Sequence, residues 1–235
     1  MSKTKFIIFG QSRSGSTLLL ELIRSHPDIT CENEIFNHLK LFPRFKLLSN
    51  AISLFPMPYL KYRVRKSDAS IYGFKLLFFQ VQNPEKLLSQ LHHNNWKFVH
   101  IHRDNIWQVV LSNIIAMETN HWHSYSENES APKSIKIKPG RLLKALEIRT
   151  NWKIEENKLI EPYDHISINY EKDLKNSNNW QTTADKIFDF LGIESHPVTS
   201  TIKPTYQKPY SELIENYHEL TELVKNCEYA YLIND

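Results

Sequence analysis

Short apolar runs alternate along the chain with stretches in which apolar residues recur every three or four positions, and these two periods predict strands and helices in turn. Lys5–Phe9 predicts the first strand. A helix follows from near Gly15 to Ser25 and stops before Pro27. Ile29-Thr30-Cys31 reads as a short strand. Residues 35–65, rich in aromatics, prolines and basic groups, read as a helix followed by irregular structure. Ile71–Phe79 is strand-like at its start, and Pro84–His93 is a helix with proline in its first turn. Phe98-Val99-His100-Ile101-His102 is a strand ending at Arg103-Asp104; Ile106–Met117 has helical spacing in Val109, Val110, Ile114 and Met117. The polar stretch 124–138 reads as a loop or lid. Gly140–Ile160 is a long amphipathic helix, Ile166–Tyr170 a strand, Thr182–Leu191 a helix stopped by Gly192, and Ser211–Lys225 a final helix. Alternation of this kind predicts an α/β fold, a central parallel sheet flanked by helices. No repeat or linker interrupts it, so residues 1–235 are expected to form a single domain.

Composition narrows the function classes. A chain of 235 residues with 41% hydrophobic and 23% charged residues has the make-up of a soluble globular domain with a substantial core. The net charge of +3 is too mild to argue for a nucleic-acid partner, and aromatics are not interleaved with a basic stripe; a local basic site for an anion remains compatible. Two cysteines, Cys31 and Cys227, make no disulfide framework and are expected to be reduced packing thiols. No apolar run is long enough for a transmembrane helix. Met1-Ser2-Lys3-Thr4-Lys5 leads directly into the first strand, and Leu18–Ile23 is too short and too late for a signal sequence, so a cytoplasmic location is expected.

The chemistry concentrates after the first strand. Gly10-Gln11-Ser12-Arg13-Ser14-Gly15-Ser16-Thr17 is the phosphate-loop frame G-x-x-x-x-G-K-[ST] with Ser16 in place of the lysine. Strand, tight loop and helix start are what a phosphate cradle needs, and the architecture expected is therefore P-loop-like. The missing lysine would reach the β- and γ-phosphates of a metal triphosphate. Without it the loop suits a phosphate-like anion and is poorly equipped for that ligand. Ser14, Ser16 and Thr17 add hydroxyl donors, and Arg13 a forked cation.

Further segments carry candidate groups. Arg103 lies just past the end of a strand, where ligands bind in open α/β sheets, and Ser112 follows on the next helix; together they would grip a second phosphate. Cys31-Glu32-Asn33-Glu34-Ile35-Phe36 places two carboxylates after a short strand near the loop, one of them able to serve as a general base. Lys75, inside the apolar Tyr72-Gly73-Phe74-Lys75-Leu76, either snorkels or points into a site. Ile202-Lys203-Pro204-Thr205-Tyr206-Gln207-Lys208-Pro209 is a basic, proline-rich loop able to fold over a nucleotide. The pairs His100/His102 and His121/His123 have i,i+2 spacing, which on a strand shares a face, but no third ligand is placed beside either, and no metal is expected.

These residues resemble the sulfotransferases that use 3′-phosphoadenosine 5′-phosphosulfate (PAPS), most closely bacterial-type and carbohydrate-type members. Arg13-Ser14-Gly15-Ser16-Thr17 is similar to the family loop that binds the 5′-phosphosulfate, and Arg103 with Ser112 to the pair that binds the 3′-phosphate. Those two stand nine positions apart where the family has eight, a difference that one extra residue in the Asp104–Trp107 turn would absorb. His26-Pro27-Asp28-Ile29-Thr30-Cys31-Glu32-Asn33-Glu34-Ile35-Phe36 resembles the stretch carrying the catalytic glutamate, which makes Glu34 the base, with Glu32 as the alternative because Asn33-Glu34 replaces a more usual Gly-Glu. Ile168-Asn169-Tyr170-Glu171-Lys172-Asp173-Leu174, Gly73-Phe74-Lys75, the Lys203 loop and Ile214-Glu215-Asn216-Tyr217 add weaker similarity.

The resemblance implies the sulfotransferase fold and in-line transfer of a sulfuryl group from PAPS, leaving 3′-phosphoadenosine 5′-phosphate, to a hydroxyl of a glycan, glycolipid or other small molecule, with no metal. It implies catalytic roles for Glu34, Arg13 and Lys75 and donor contacts from Arg13, Ser14, Gly15, Ser16, Thr17, Arg103, Ser112 and Lys203. Residues 36–66 and 120–140, with Phe42, Phe55, Tyr59, His121, Trp122 and Tyr125, would frame the acceptor. A nucleotide or small-molecule kinase, drawing on Asp104 and Thr17 for Mg²⁺, and a non-catalytic phosphoadenosine binder are the other readings.

Overall fold

Five strands, β1 (Thr4–Gly10), β2 (Ile29–Glu32), β3 (Ile71–Leu77), β4 (Trp96–His102) and β5 (His165–Asn169), pair in parallel in the order β2-β3-β1-β4-β5. The structure is a computed structural model that describes residues 3–37, 52, 54–120, 134–202 and 208–233. Its helices are α1 (Ser16–Arg24), α2 (Pro56–Lys66), α3 (Pro84–His93), α4 (Ile106–Thr119), α5 (Pro139–Ile160), α6 (Trp180–Leu191), α7 (Tyr210–Leu213) and α8 (Tyr217–Lys225). The chain divides into two compact units, one of Met1–His102 with Glu156–Ser200 and one of Arg103–Glu155 with Thr201–Asp235.

The first unit holds the whole sheet. Phe6 and Ile8 of β1 face one side and Ile7 and Phe9 the other, all fully buried, which is why this strand reads as a continuous apolar run. Phe6 and Ile8 pack with Leu19, Leu20, Leu22 and Ile23 of α1 and with Ala184, Ile187 and Phe188 of α6. An aromatic row runs through the same unit, with Phe36, Phe74 and Trp96 edge to face at 5.6 and 5.4 Å. Gly10, at the end of β1, is level with Leu77 of β3 and Ile101 of β4. Strand order reverses about β1, so its carboxyl end is the switch point at which open α/β sheets bind ligands.

The second unit is helical. Trp107, Leu111 and Ile114 of α4 pack with Leu142 and Leu146 of α5 and Leu220 and Val224 of α8. The single helix predicted over Ser211–Lys225 is instead two, α7 and α8, separated by Ile214 in extended conformation. Ile214 forms a parallel bridge to Ile135, and the Asn216 side chain exchanges hydrogen bonds with the Ile137 backbone at 3.1 and 3.0 Å. The Ile135 N–H donates to the Leu213 carbonyl and the Glu215 N–H to the Ile135 carbonyl, each at 2.9 Å, so backbone groups that a continuous helix would pair internally are satisfied here by residue 135, and residues 135–137 of the expected loop take an ordered role. β3 ends at Leu77 and passes into a short 3₁₀ turn, Phe78–Gln80, and β5 into a π turn, Tyr170–Leu174. Gly192 ends α6 in the left-handed conformation, as its position predicts. Among the described residues no helix is long and apolar enough to cross a membrane. Cys31 and Cys227 are both free, and burial pushes the Cys31 thiol well above its usual range.

Candidate active site

The loop between β1 and α1 is built by two left-handed residues. Arg13 has φ 67° and Gly15 φ 87°, and the Ser14 hydroxyl closes the turn by donating to the Gln11 carbonyl at 2.7 Å. Only glycine fits position 15: a Cβ there would lie 2.4 Å from the ring of Tyr170, besides adopting a backbone region that costs an L-residue about 1–2 kcal/mol. As the residue before α1, Gly15 supplies no capping side chain, and no acid stands in the first turn of the helix. The N–H groups and positive dipole end of α1 therefore face the loop without the usual side-chain acceptor, an arrangement that favours an anion.

Lys75 answers the question its sequence position posed: it points into the site. From the middle of β3 its ammonium donates to Thr17 Oγ1 at 3.1 Å and pairs with Glu34 Oε1 at 2.9 Å. The residue is 1% exposed, and a buried ammonium without a counter-charge would cost several kcal/mol. Glu34 itself stands in a left-handed conformation (φ 46°). Its Oε2 accepts from the Asn37 amide at 2.9 Å and from the Gln80 amide at 3.2 Å. Strained non-glycine residues persist where their surroundings over-determine them. Here the Lys75, Asn37 and Gln80 side chains all donate to the Glu34 carboxylate, and the Asn37 N–H bonds its carbonyl at 2.9 Å.

Thr17 also bears on the metal-triphosphate alternative. Its hydroxyl is the group that would hold Mg²⁺ in such an enzyme, and here it touches a buried ammonium. A divalent cation at that hydroxyl would face like-charge repulsion in a low-dielectric setting. Asp104, the other group that reading needs, accepts from Lys153 at 3.1 Å.

No family model matches the sequence, and no curated protein matches it. Among solved structures, a sulfotransferase from Alicyclobacillus acidocaldarius superposes with a TM-score of 0.53 at 14% identity, over 99% of this chain and 93% of that one. The fold is a sulfotransferase fold. A shikimate kinase from Bacteroides thetaiotaomicron (TM-score 0.49, 8% identity, 81% and 99% covered) and the sulfotransferase domain of the Synechococcus PCC 7002 olefin synthase (0.46, 11%, 89% and 79%) also match.

Within this sulfotransferase fold the remaining candidates are distributed as follows. Glu32, the alternative base, is engaged elsewhere: Tyr72 donates to its Oε1 at 3.1 Å, and Arg63 of α2 donates to both of its oxygens. Burial, and then the charge of Glu32, push the Tyr72 phenol well above its ordinary range, which keeps it a donor. Arg103 directly follows β4 and donates to Gln108 Oε1 at 2.7 Å, while Ser112 is buried on α4. The turn before α4 is capped by Asn105, whose side chain accepts from the Gln108 N–H. Lys203 lies outside the described residues, as do Phe42, His121, His123, Trp122 and Tyr125. Of the aromatics expected at the acceptor, Phe55 is exposed and Tyr59 packs edge to face on Phe36 at 6.0 Å. His100 is paired with the buried Glu156 at 2.8 Å, and among the described residues no group of three His, Cys, Asp or Glu side chains is placed to hold a metal.

Three contacts are invisible in the pattern of residue types. The Gln80 and Asn37 amides on Glu34 come from the polar end of an apolar run and from a stretch with helical spacing, where neither residue type nor spacing marks them as partners of a carboxylate. The Tyr170 ring on Gly15 joins the two separate stretches of chain that make up the first unit.

Proposed function

We propose that the protein transfers a sulfuryl group from PAPS to a hydroxyl of a glycan, glycolipid or other small molecule, by in-line displacement with Glu34 as general base. The observation that carries this reading is the Lys75 ammonium held between Thr17 at the loop and the Glu34 carboxylate. It joins an anion cradle, a cation and a base at the carboxyl end of the central strands. The sulfotransferase fold and the uncapped start of α1, with no acid in its first turn, support it.

In this mechanism the loop N–H groups, Ser14, Ser16, Thr17 and Arg13 hold the 5′-phosphosulfate end of the donor. Arg103 and Ser112 hold the 3′-phosphate, and Lys203 adds positive charge over the nucleotide. Lys75 passes from Glu34 to the anionic transferring group, leaving the carboxylate able to take the acceptor's proton. The acceptor O–S bond forms as the bond between sulfur and the 5′-phosphate oxygen breaks, and 3′-phosphoadenosine 5′-phosphate leaves on the loop. Donors aimed at the transferring group and at the leaving oxygen lower the barrier because they are in place before charge develops. A positioned base contributes about 10²–10⁴-fold, or about 3–5 kcal/mol.

Calorimetric titration tests the nucleotide class. Metal-independent binding of 3′-phosphoadenosine 5′-phosphate with no response to ATP and Mg²⁺ is expected; the reverse would establish a kinase-type loop that tolerates Ser16. Arg103→Ala is expected to weaken 3′-phosphoadenosine 5′-phosphate about 10–100-fold, the worth of one or two hydrogen bonds to a charged group, and adenosine 5′-phosphate by less than about twofold. Equal losses for the two nucleotides would remove Arg103 from the 3′-phosphate.

A further inference from the structure

We propose that Gln80 is a positioning residue for the base, holding the Glu34 carboxylate in the orientation and ionisation state that proton abstraction needs; this rests on the reading of Glu34 as base. Gln80 is 7% exposed and sits in the 3₁₀ turn that ends β3, five residues after Lys75. Its Oε1 accepts from the Leu77 backbone N–H at 3.0 Å. That bond leaves the amide one orientation, with Nε2 aimed at Glu34 Oε2 at 3.2 Å. The same strand thus reaches Glu34 twice, through the Lys75 ammonium on Oε1 and through the Gln80 amide on Oε2.

The division of labour follows from what each donor can do. Lys75 carries its charge on a long unbranched stem, and an incoming anion competes with the carboxylate for it. A primary amide anchored to a backbone N–H has no such competitor and stays with Oε2. When Lys75 moves to the donor, Gln80 and Asn37 keep one oxygen fixed and hydrogen-bonded, so that Oε1 faces the acceptor hydroxyl. Among the described residues, Lys75 faces Glu34 from β3, and Glu32, two residues upstream, is held by Arg63 of α2 and Tyr72 of β3.

The test compares the parent with Gln80→Leu and Gln80→Glu. Two readouts are used: ¹³C titration of the Glu34 carboxylate, assigned by its loss in Glu34→Gln, and the pH profile of PAPS hydrolysis, in which water is the acceptor. Gln80→Leu removes a donor to the charged form, so the Glu34 midpoint and the acid limb are expected to move up in pH together. The maximal hydrolysis rate is expected to fall about tenfold and KM for PAPS to stay within about twofold. Gln80→Glu keeps an acceptor for the Leu77 N–H but sets a second carboxylate against Oε2; an upward move of about one pH unit or more is expected. A Glu34 midpoint unchanged in whichever variant folds would overturn the proposal and leave Gln80 a packing residue. A parent that neither binds 3′-phosphoadenosine 5′-phosphate nor hydrolyses PAPS would overturn sulfuryl transfer instead, and the carboxylate titration would still decide whether Gln80 sets the state of Glu34.

Discussion

A Glu34→Gln protein is expected to bind 3′-phosphoadenosine 5′-phosphate as tightly as the parent and to transfer sulfuryl groups about 10²–10⁴-fold more slowly. The substitution keeps size and shape but removes the lone pair that takes the proton. It also turns an amide N–H₂ toward donors. If the new side chain keeps its oxygen on Lys75, its nitrogen faces the Asn37 and Gln80 amides, and Gln80 is anchored to Leu77 and cannot turn over to accept. A stability loss of about 3 kcal/mol or more is expected beside the loss of turnover, because the buried Lys75 ammonium also loses its Glu34 counter-charge. Glu32→Gln is the control, since it loosens α2 through Arg63 and should leave turnover within a few fold. Transfer of radiolabelled sulfuryl from PAPS, with calorimetry for the nucleotide, separates the outcomes. Undiminished transfer by Glu34→Gln would sink the base assignment, and a collapse in Glu32→Gln would move it.

Lys75→Met is the second large effect, and it is read on the folded protein without any substrate. The side chains of Lys75 and Glu34 are 2% and 12% exposed and 2.9 Å apart. Removing one member of a buried pair leaves the other charge uncompensated, which typically costs about 3–5 kcal/mol. The partial exposure of Glu34 and its two amide partners place the expected loss near the lower end of that range. Denaturant unfolding of the single variants and of Glu34→Gln/Lys75→Met measures it. The double variant should lose less than the sum by at least about 1 kcal/mol, because neither single change then strands a charge. Strict additivity would mean that the pair is not coupled in solution.

Much of the scaffold was legible because it depends on local signals. The apolar run Phe6-Ile7-Ile8-Phe9, the glycines at 10 and 15 and the apolar spacing of Leu19, Leu22 and Ile23 define strand, loop and helix within about one turn of chain. Arg13 to Thr17 and Lys75 stand where the motif frame and the interrupted apolar strand put them. What escaped depends on contacts between distant segments. Ser211–Lys225 has helical spacing throughout, and the bridge from Ile135 to Ile214 and the Asn216 bonds to Ile137 break it. Tyr170 has the β-propensity of a strand residue, yet its backbone turns out of the sheet into a π turn, with the Asp173 carboxylate accepting from the Asn169 N–H at 2.7 Å. Spacing does not separate Glu32 from Glu34, which lie two residues apart at the end of β2; what differs is their contacts, Arg63, thirty-one residues beyond Glu32, engaging that carboxylate and Lys75 pairing with Glu34.

The ring of Tyr170 against Gly15 has a consequence for how the cradle comes into being. The eight residues from Gly10 to Thr17 look like a self-contained ligand motif, but the face of the turn at Gly15 is shaped by a side chain 155 positions later, at the end of the edge strand β5. Closing so long a segment is entropically costly and comes late in assembly. A nascent chain would thus carry the motif well before the ring that packs on Gly15 has been synthesised, and the turn would take its final shape only once β5 is in place.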